Sequence, residues 1–141
     1  MRPMQIVLRL PNEPGQFSAV SELLGENGIN VKAITISVDA EVGVLCMVVD
    51  DHEKSKLILQ GHGYEIDETP VIAAYAPDHP GGLNAVVKPF KAVNVNVERL
   101  YLSAARKGEH ALIIMEVNDY EKGVAALKAN YVEVIEGKFK F

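Results

Sequence analysis

One short pattern occurs twice in this sequence, and the repeat constrains the fold more than any other feature. The segment Pro11–Phe17, PNEPGQF, aligns with Pro77–Leu83, PDHPGGL, at a distance of 66 positions. The dipeptide that starts at Asn30 recurs at the same distance, starting at Asn96. Self-similarity at a fixed distance indicates that one structural unit is present twice. We therefore expect two units of similar length in one chain.

Hydrophobic periodicity predicts the same order of elements in each half. An apolar, strand-like run, Met4–Leu10, precedes the first copy of the repeated segment, and helical spacing of apolar residues follows it. A hairpin, a second helical segment and a short edge strand complete the order βαββαβ. The same order begins again at Val71. We predict two α+β units, residues 1–70 and 71–141.

Several local signals set the expected boundaries. Asp50 and Asp51 precede one helical segment and Asp119 starts another, and aspartate is a good helix N-cap. Polar and glycine-containing stretches predict hairpin turns at Asp39–Gly43 and Ala104–Gly108. Pro89 falls inside the first predicted helix of the second unit, where it lacks a backbone N–H. We expect that helix to be kinked there or to end early.

A βαββαβ unit packs both helices on one face of four antiparallel strands, which is the ferredoxin-like architecture. A unit of about 70 residues is marginal alone, so we expect the units to bury surface against each other or a second chain, and the chain to form a homodimer. The strands Val44–Val49 and Leu112–Met115 are more apolar than one covered face requires. Such apolar surface can bind another protein.

Composition narrows the classes of function. The net charge of -5 and the scattered basic residues argue against a nucleic-acid partner. No apolar stretch reaches the roughly 18 residues of a membrane span, and the first residues do not resemble a signal peptide, so we expect a cytoplasmic protein without a membrane partner. The single cysteine, Cys46, lies in an apolar run and is expected to be a buried thiol.

The repeated loop is the candidate binding site. It leads into a helix, whose free N–H groups and partial positive charge suit a carboxylate. The side chain of Asn12 or Asp78 can accept hydrogen bonds from an ammonium group, so a zwitterionic amino acid would satisfy both ends. A structural alternative stands beside this interpretation. Asn and Asp are also preferred helix caps, and a Pro-Gly turn needs no ligand.

The βαββαβ order with Asn-x-Pro-Gly-x-hydrophobe after the first strand resembles the ACT domain, a regulatory amino-acid-binding module. Here the resemblance covers the chain twice, as in stand-alone tandem ACT proteins. It implies a ligand at an interface between two modules, held by this loop and by the second strand of the adjoining copy. The candidate contacts are Asn12, Glu13, Gly15, Gln16, Phe17, Ile36, Ser37, Asp78, His79, Gly81, Gly82, Leu83, Leu102 and Ser103.

The chain departs from the family pattern at two places. Serine-sensing members of the family have a histidine two residues before the loop asparagine, where this chain has Leu10 and Ala76. The second loop has Asp78 in place of asparagine, followed by His79. The two loops therefore need not share a ligand or an affinity, and one of them can be vestigial.

No motif supports catalysis, a metal or a cofactor. The four histidines, His52, His62, His79 and His110, lack metal-ligand spacing, and no nucleophile elbow or phosphate-binding glycine pattern occurs. The leading hypothesis is an amino-acid sensor that modulates a partner, such as an enzyme of amino-acid metabolism, or its own assembly. The main alternative is a protein-interaction module without a ligand. A small enzyme using His79 rests on fold analogy alone.

Overall fold

The computed structural model describes residues 2–137, and within them the order βαββαβ occurs twice, as predicted. The first copy contains β1 (Met4–Pro11), α1 (Gln16–Glu26), β2 (Val31–Asp39), β3 (Val42–Val49), α2 (His52–Gly61) and β4 (Ile66–Pro70). The second contains β5 (Ile72–Pro77), α3 (Gly82–Ala92), β6 (Val97–Lys107), β7 (His110–Val117), α4 (Tyr120–Ala129) and β8 (Val134–Ile135). The α+β, ferredoxin-like fold class is confirmed. The alternating sequence Gly137–Phe141 predicts an extra strand, a segment that docks on a partner, or a frayed end, and its residues 138–141 lie outside the described part.

The described residues divide into two compact units. One unit is Met4–Thr69, and the other comprises residues 2–3 and 70–137. The strand order is β4-β1-β3-β2 in the first unit and, read from the corresponding edge, β8-β5-β7-β6 in the second. The central pairs, β1 with β3 and β5 with β7, are antiparallel. The two units therefore have the same topology.

Each unit has its own hydrophobic core beneath its helices. In the first unit, alternate residues of β1, Ile6, Leu8 and Leu10, pack in one cluster with Val20 and Leu24 of α1. The corresponding cluster of the second unit includes Ile72, Ala74, Val86, Phe90, Ile113, Met115 and Leu127. The twofold alternation of the strands and the helical spacing of α1 explain why these side chains meet.

The apolar central strands β3 and β7 are buried on both faces, which corrects one expectation. In β3, Leu45 and Met47 belong to the core, yet Cys46 and Val48, which point to the opposite face, are also buried. All residues of Leu112–Met115 in β7 are buried as well. The apolar content of these strands therefore does not indicate a surface for a partner. Cys46 is buried, as predicted.

Pro89 lies inside α3 and does not end it, so the expectation of an early end is wrong. A proline within a helix costs about 3 kcal/mol through the lost hydrogen bond and steric conflict. Its neighbours Val86 and Phe90 are almost completely buried. Burial of two such side chains contributes about 1.5–3 kcal/mol each, which is enough to keep the helix intact to Ala92.

The second unit contains two additional residues in β6, which overturns the turn predicted at Ala104–Gly108. Leu102 lies opposite Ile113, but Arg106 lies opposite Ala111, so three residues of β6 face one residue of β7. A bulge of this kind absorbs extra residues while the strands stay paired. The repeat distance accordingly changes from 66 before the bulge to 68 after it. In the first unit the turn is also shorter than predicted, because β2 and β3 extend into it.

Left-handed backbone recurs at equivalent positions of the two units. The pairs are Gly15 and Gly81, Gly28 and Asn94, Ala40 and Gly108, and Gly63 and Tyr131. Only the first pair is glycine in both units, so the backbone conformation is retained where the residue type is not. Among residues 2–137, no helix is long and apolar enough to cross a membrane.

Replacement of Tyr131 by glycine should stabilise the protein. Tyr131 has φ 60° and is 97% exposed, so its side chain contributes little packing and its backbone is strained. Relief of left-handed strain contributes about 1 kcal/mol. We expect Tyr131→Gly to raise the free energy of unfolding by about that amount in urea denaturation. Tyr131→Ala, which keeps the strain, is the control, and equal stability of the two variants would contradict the prediction.

Candidate functional site

The repeated loop joins the first strand of each unit to its first helix. In the first unit β1 ends at Pro11, and Gly15 precedes α1 with φ 87°. In the second unit Gly81 precedes α3 with φ 83°. A side chain is unfavourable at such a φ, so glycine is required where the chain reverses from strand to helix. Both glycines are exposed, and the loops lie at corresponding ends of β1 and β5.

The two helices of each unit begin differently. The carboxylates of Asp51 and Asp119 cap α2 and α4 by accepting a backbone N–H three residues later, as predicted. In contrast, α1 and α3 have no side-chain cap. Asn12 and Asp78 therefore do not cap the helices that follow them. The helix-cap part of the structural alternative is therefore not supported for these two residues, whereas the tight Pro-Gly turn is present in both loops.

The uncapped helix starts leave hydrogen-bond donors free. Within residues 2–137, no acceptor is found for the backbone N–H groups of Phe17 and Ser18 in α1, or of Leu83 and Asn84 in α3. The positive end of the helix dipole lies at the same place. Each loop can therefore receive an anionic group such as a carboxylate.

Both loops are attached to the neighbouring hairpin turn through their backbone. The N–H of Asn12 donates to the carbonyl oxygen of Glu41, and the N–H of Asp78 donates to that of Glu109, each at 3.0 Å. The side-chain environments differ. The Asn12 amide has no hydrogen-bond partner within residues 2–137, whereas the Asp78 carboxylate lies 3.0 Å from the guanidinium of Arg106.

The remaining loop residues also differ between the units. The N–H of Glu13 donates to Pro11 at 2.9 Å, which tightens the first loop. In the second loop, His79 is exposed and its Nδ1 lies 2.9 Å from the carbonyl oxygen of Pro80. Gly82 is buried, unlike its counterpart Gln16, and its N–H already donates to His79 at 2.9 Å. Gly82 therefore offers no free N–H to a ligand.

The candidate residues of the second strands lie away from the loop of their own unit. Ser37 is opposite Val44 of β3, which in turn is opposite Arg9 of β1. Two strand spacings, about 10 Å, thus separate β2 from β1. The same holds in the second unit, where β7 lies between β6 and β5. The candidate residues of a second strand therefore do not converge with the loop of their own unit, although Arg106, near the hairpin end of β6, does reach Asp78.

Four candidate residues share an unusual degree of exposure. The equivalent loop residues Phe17 and Leu83 are 41% and 49% exposed, and the equivalent strand residues Ile36 and Leu102 are 51% and 62% exposed. Isolated exposed apolar residues are ordinary, but here the same two positions are exposed in both copies. Phe17 and Leu83 provide apolar contact area beside the free N–H groups of the helix starts. Ile36 and Leu102 provide it on the second strands.

A cluster on α2 and β4 brings together residues that the sequence places far apart. His52 Nε2 lies 2.5 Å from Glu68, whose other oxygen lies 3.2 Å from the ammonium of Lys56. Potential metal-ligand atoms of His52, Glu53 and Glu68 lie within 4.8 Å of one another. Because Lys56 already neutralises Glu68, the chemistry of the cluster is that of an ion-pair network. The alternation of Glu65, Asp67 and Glu68 in the sequence predicts a solvated strand edge, but Glu68 is half-buried.

A groove of about 390 Å³ on the first unit was not anticipated from the sequence. It contains none of the candidate residues. Its lining comes from the later turns of α1 and from the segment after α2, namely Ala19, Glu22, Leu23, Glu26, His62 and Tyr64. No motif links these positions, because they converge only through helix packing.

Substitution of Gly82 by alanine should destabilise the second unit. An added Cβ would lie 1.8 Å from the carbonyl oxygen of Pro77, so the loop must move. Overpacking of this kind costs about 1–3 kcal/mol. Gly25→Ala is the matched helical control, because its Cβ meets nothing within 4 Å and should stabilise α1 by about 0.5–1 kcal/mol. Chemical denaturation measures the free energy of unfolding of both variants. The prediction is wrong if Gly82→Ala leaves it unchanged.

The hydrogen bond from His52, together with Lys56, lowers the pKa of Glu68 below its usual 4.5 despite partial burial. A lowered folded-state pKa stabilises the fold above pH 4.5, and this contribution is lost as the pH falls through the lowered value. We expect Glu68→Gln to cost about 1 kcal/mol at pH 7 and progressively less below pH 4.5. Urea denaturation of both proteins, from pH 7 to below pH 4.5, measures this difference in the free energy of unfolding. Glu65→Gln, which removes a carboxylate without an ion pair in residues 2–137, should show no such trend.

Comparisons with known proteins agree with the fold described above. Residues 4–60 match the family model of the ACT domain. A crystal structure of protein BT0572 from Bacteroides thetaiotaomicron is 26% identical, with a TM-score of 0.88 over 96% of this chain and 93% of that one. The regulatory subunit of aspartate kinase from Thermus thermophilus, in its ligand-free form, is 22% identical, with a TM-score of 0.67 over 92% and 91% of the two chains. No curated protein is significantly similar in sequence.

Proposed function

We propose that this chain is a regulatory protein of two ACT domains in tandem, residues 1–70 and 71–141, which binds an amino acid and has no catalytic activity. The supporting observation is that the helix after the repeated loop begins without a side-chain cap in both units, with free N–H groups. The family match over residues 4–60 supports the assignment of the first unit. The repeated topology extends it to the second.

The first loop supplies complementary groups for both ends of an amino acid. The amide oxygen of Asn12 accepts from the ammonium group, and the N–H groups of Phe17 and Ser18 receive the carboxylate. The Phe17 ring adds apolar contact for the ligand side chain. Because β3 separates the loop from Ile36 and Ser37, the second-strand contacts of a complete site come from an adjoining module.

Regulation follows if the ligand binds one arrangement of modules more tightly than another. A ligand shifts an equilibrium only by its difference in affinity for the two states. The adjoining module belongs to the chain itself or to a second copy in a homodimer, and the bridged state acts on an enzyme of amino-acid metabolism. The regulatory subunit of aspartate kinase from Thermus thermophilus has the same fold over most of its length, so this fold is compatible with a regulatory role.

Replacement of Asn12 by alanine should separate binding from stability. Its side chain has no hydrogen-bond partner within residues 2–137, so the free energy of unfolding should be unchanged. Loss of a hydrogen bond to a charged group, about 1.5–3 kcal/mol, weakens binding about 10- to 100-fold. The measurement is a thermal-shift screen of the twenty amino acids, followed by calorimetry with those that raise the melting temperature.

Asn30→Ala is the matched control, since it removes an exposed asparagine side chain just before β2, at the end of the sheet opposite to the Asn12 loop. It should leave every thermal shift unchanged. If no amino acid shifts the melting temperature of the unmodified protein, the sensor function is wrong. If a shift occurs and survives Asn12→Ala, the binding site lies elsewhere.

A protein-interaction module without a ligand is the second candidate, favoured by one exposed strand face. Ile34, Ile36 and Val38 alternate along β2 and are 37%, 51% and 57% exposed. Their register opposite Met47 and Leu45 places them on the helix-bearing face of the sheet. Co-purification with an enzyme that is abolished by Ile36→Asp but unaffected by amino acids and by Asn12→Ala would favour this function over amino-acid sensing.

A further inference from the structure

The two loops occupy equivalent places but present different charges. In the first unit the Asn12 side chain is neutral and has no hydrogen-bond partner within residues 2–137. In the second unit the Asp78 carboxylate is bound by Arg106, with Nη2 and Oδ2 at 3.0 Å. The group that would accept an ammonium ion in the second loop therefore already holds a cation of the same chain.

The bulge in β6 accounts for the position of Arg106. Beyond the bulge, Arg106 lies opposite Ala111, just as Val38 lies opposite Gly43 in the first unit. The residue at this position is thus apolar in the first unit and cationic in the second. The N–H of Ala105 donates to Ser103 Oγ at 3.1 Å, which supports the bulged backbone. Bulges commonly redirect a side chain in this way.

The backbone of the second loop is also less open than that of the first. A Cβ at Gly82 would lie 1.8 Å from the carbonyl oxygen of Pro77, whereas the first unit has a full side chain, Gln16, at this position. The helix start of α3 thus lies against the end of β5. The first loop has a different backbone path, in which Gln16 is accommodated.

From these differences we infer that Arg106 acts as an internal competitor for the ammonium group, so that each chain binds one amino acid, at the Asn12 loop alone. The inference rests on the proposed function. An incoming ammonium would have to displace the guanidinium and would then remain close to a like charge. The pair is half-exposed, so it contributes little to folding, and its removal leaves a folded chain.

Equilibrium dialysis of the full chain against an equimolar mixture of the twenty amino acids tests this. The retained amino acids are quantified per mole of chain. We expect about one per chain for the unmodified protein and close to none for Asn12→Ala. Arg106→Ala should raise retention toward two, because the second loop gains up to about fivefold in affinity. Lys107→Ala is the matched control, since Lys107 pairs with Glu133 and not with Asp78. It should leave retention at one.

The reciprocal exchange tests the same chemistry in the first unit. Asn12→Asp alone should retain the amino acid, because a carboxylate also accepts from an ammonium. Asn12→Asp combined with Val38→Arg should lose it. Retention of two per chain without any substitution, or of one per chain in Arg106→Ala, would overturn the inference while leaving the sensor function standing. Retention of none by any variant would overturn the sensor function itself.

Discussion

The central strand pair of each unit, β1 with β3 and β5 with β7, is the interaction on which the rest depends. Its register aligns the core residues of neighbouring strands and places the end of the first strand beside the hairpin turn. The backbone bonds of Asn12 and Asp78 to that turn follow from this register. The left-handed glycine after each then directs the chain into a helix whose N–H groups are free.

The two units keep the same backbone but not the same surface chemistry. Left-handed residues recur at equivalent places even where glycine is replaced by Asn94 or Tyr131. The two units keep the same backbone conformation at these positions, because strand pairing and core packing hold the chain there. Residues outside those constraints, such as the pair Asp78 and Arg106, are free to diverge. Such divergence is what the proposed function uses: one unit binds the amino acid, and its copy has a structural or regulatory role.

In the proposed function, a single unit does not supply the whole binding site. Free donors and an accepting amide lie at the loop, whereas the exposed apolar residues of the second strand lie two strands away. A ligand that needs both must contact two modules at once. Binding is then coupled to how modules associate, which is the physical basis of a regulatory response.

Local patterns in the sequence determined the duplication, the element order and the helix caps Asp51 and Asp119, because each depends on residues close together along the chain. They also located both loops. Only the tertiary structure decided that Asn12 and Asp78 are not caps, that α3 continues through Pro89, and that β6 bulges. These outcomes depend on packing energies and on contacts between residues distant in sequence. The charge partner of Asp78 lies 28 residues away, and only strand register brings it within 3.0 Å.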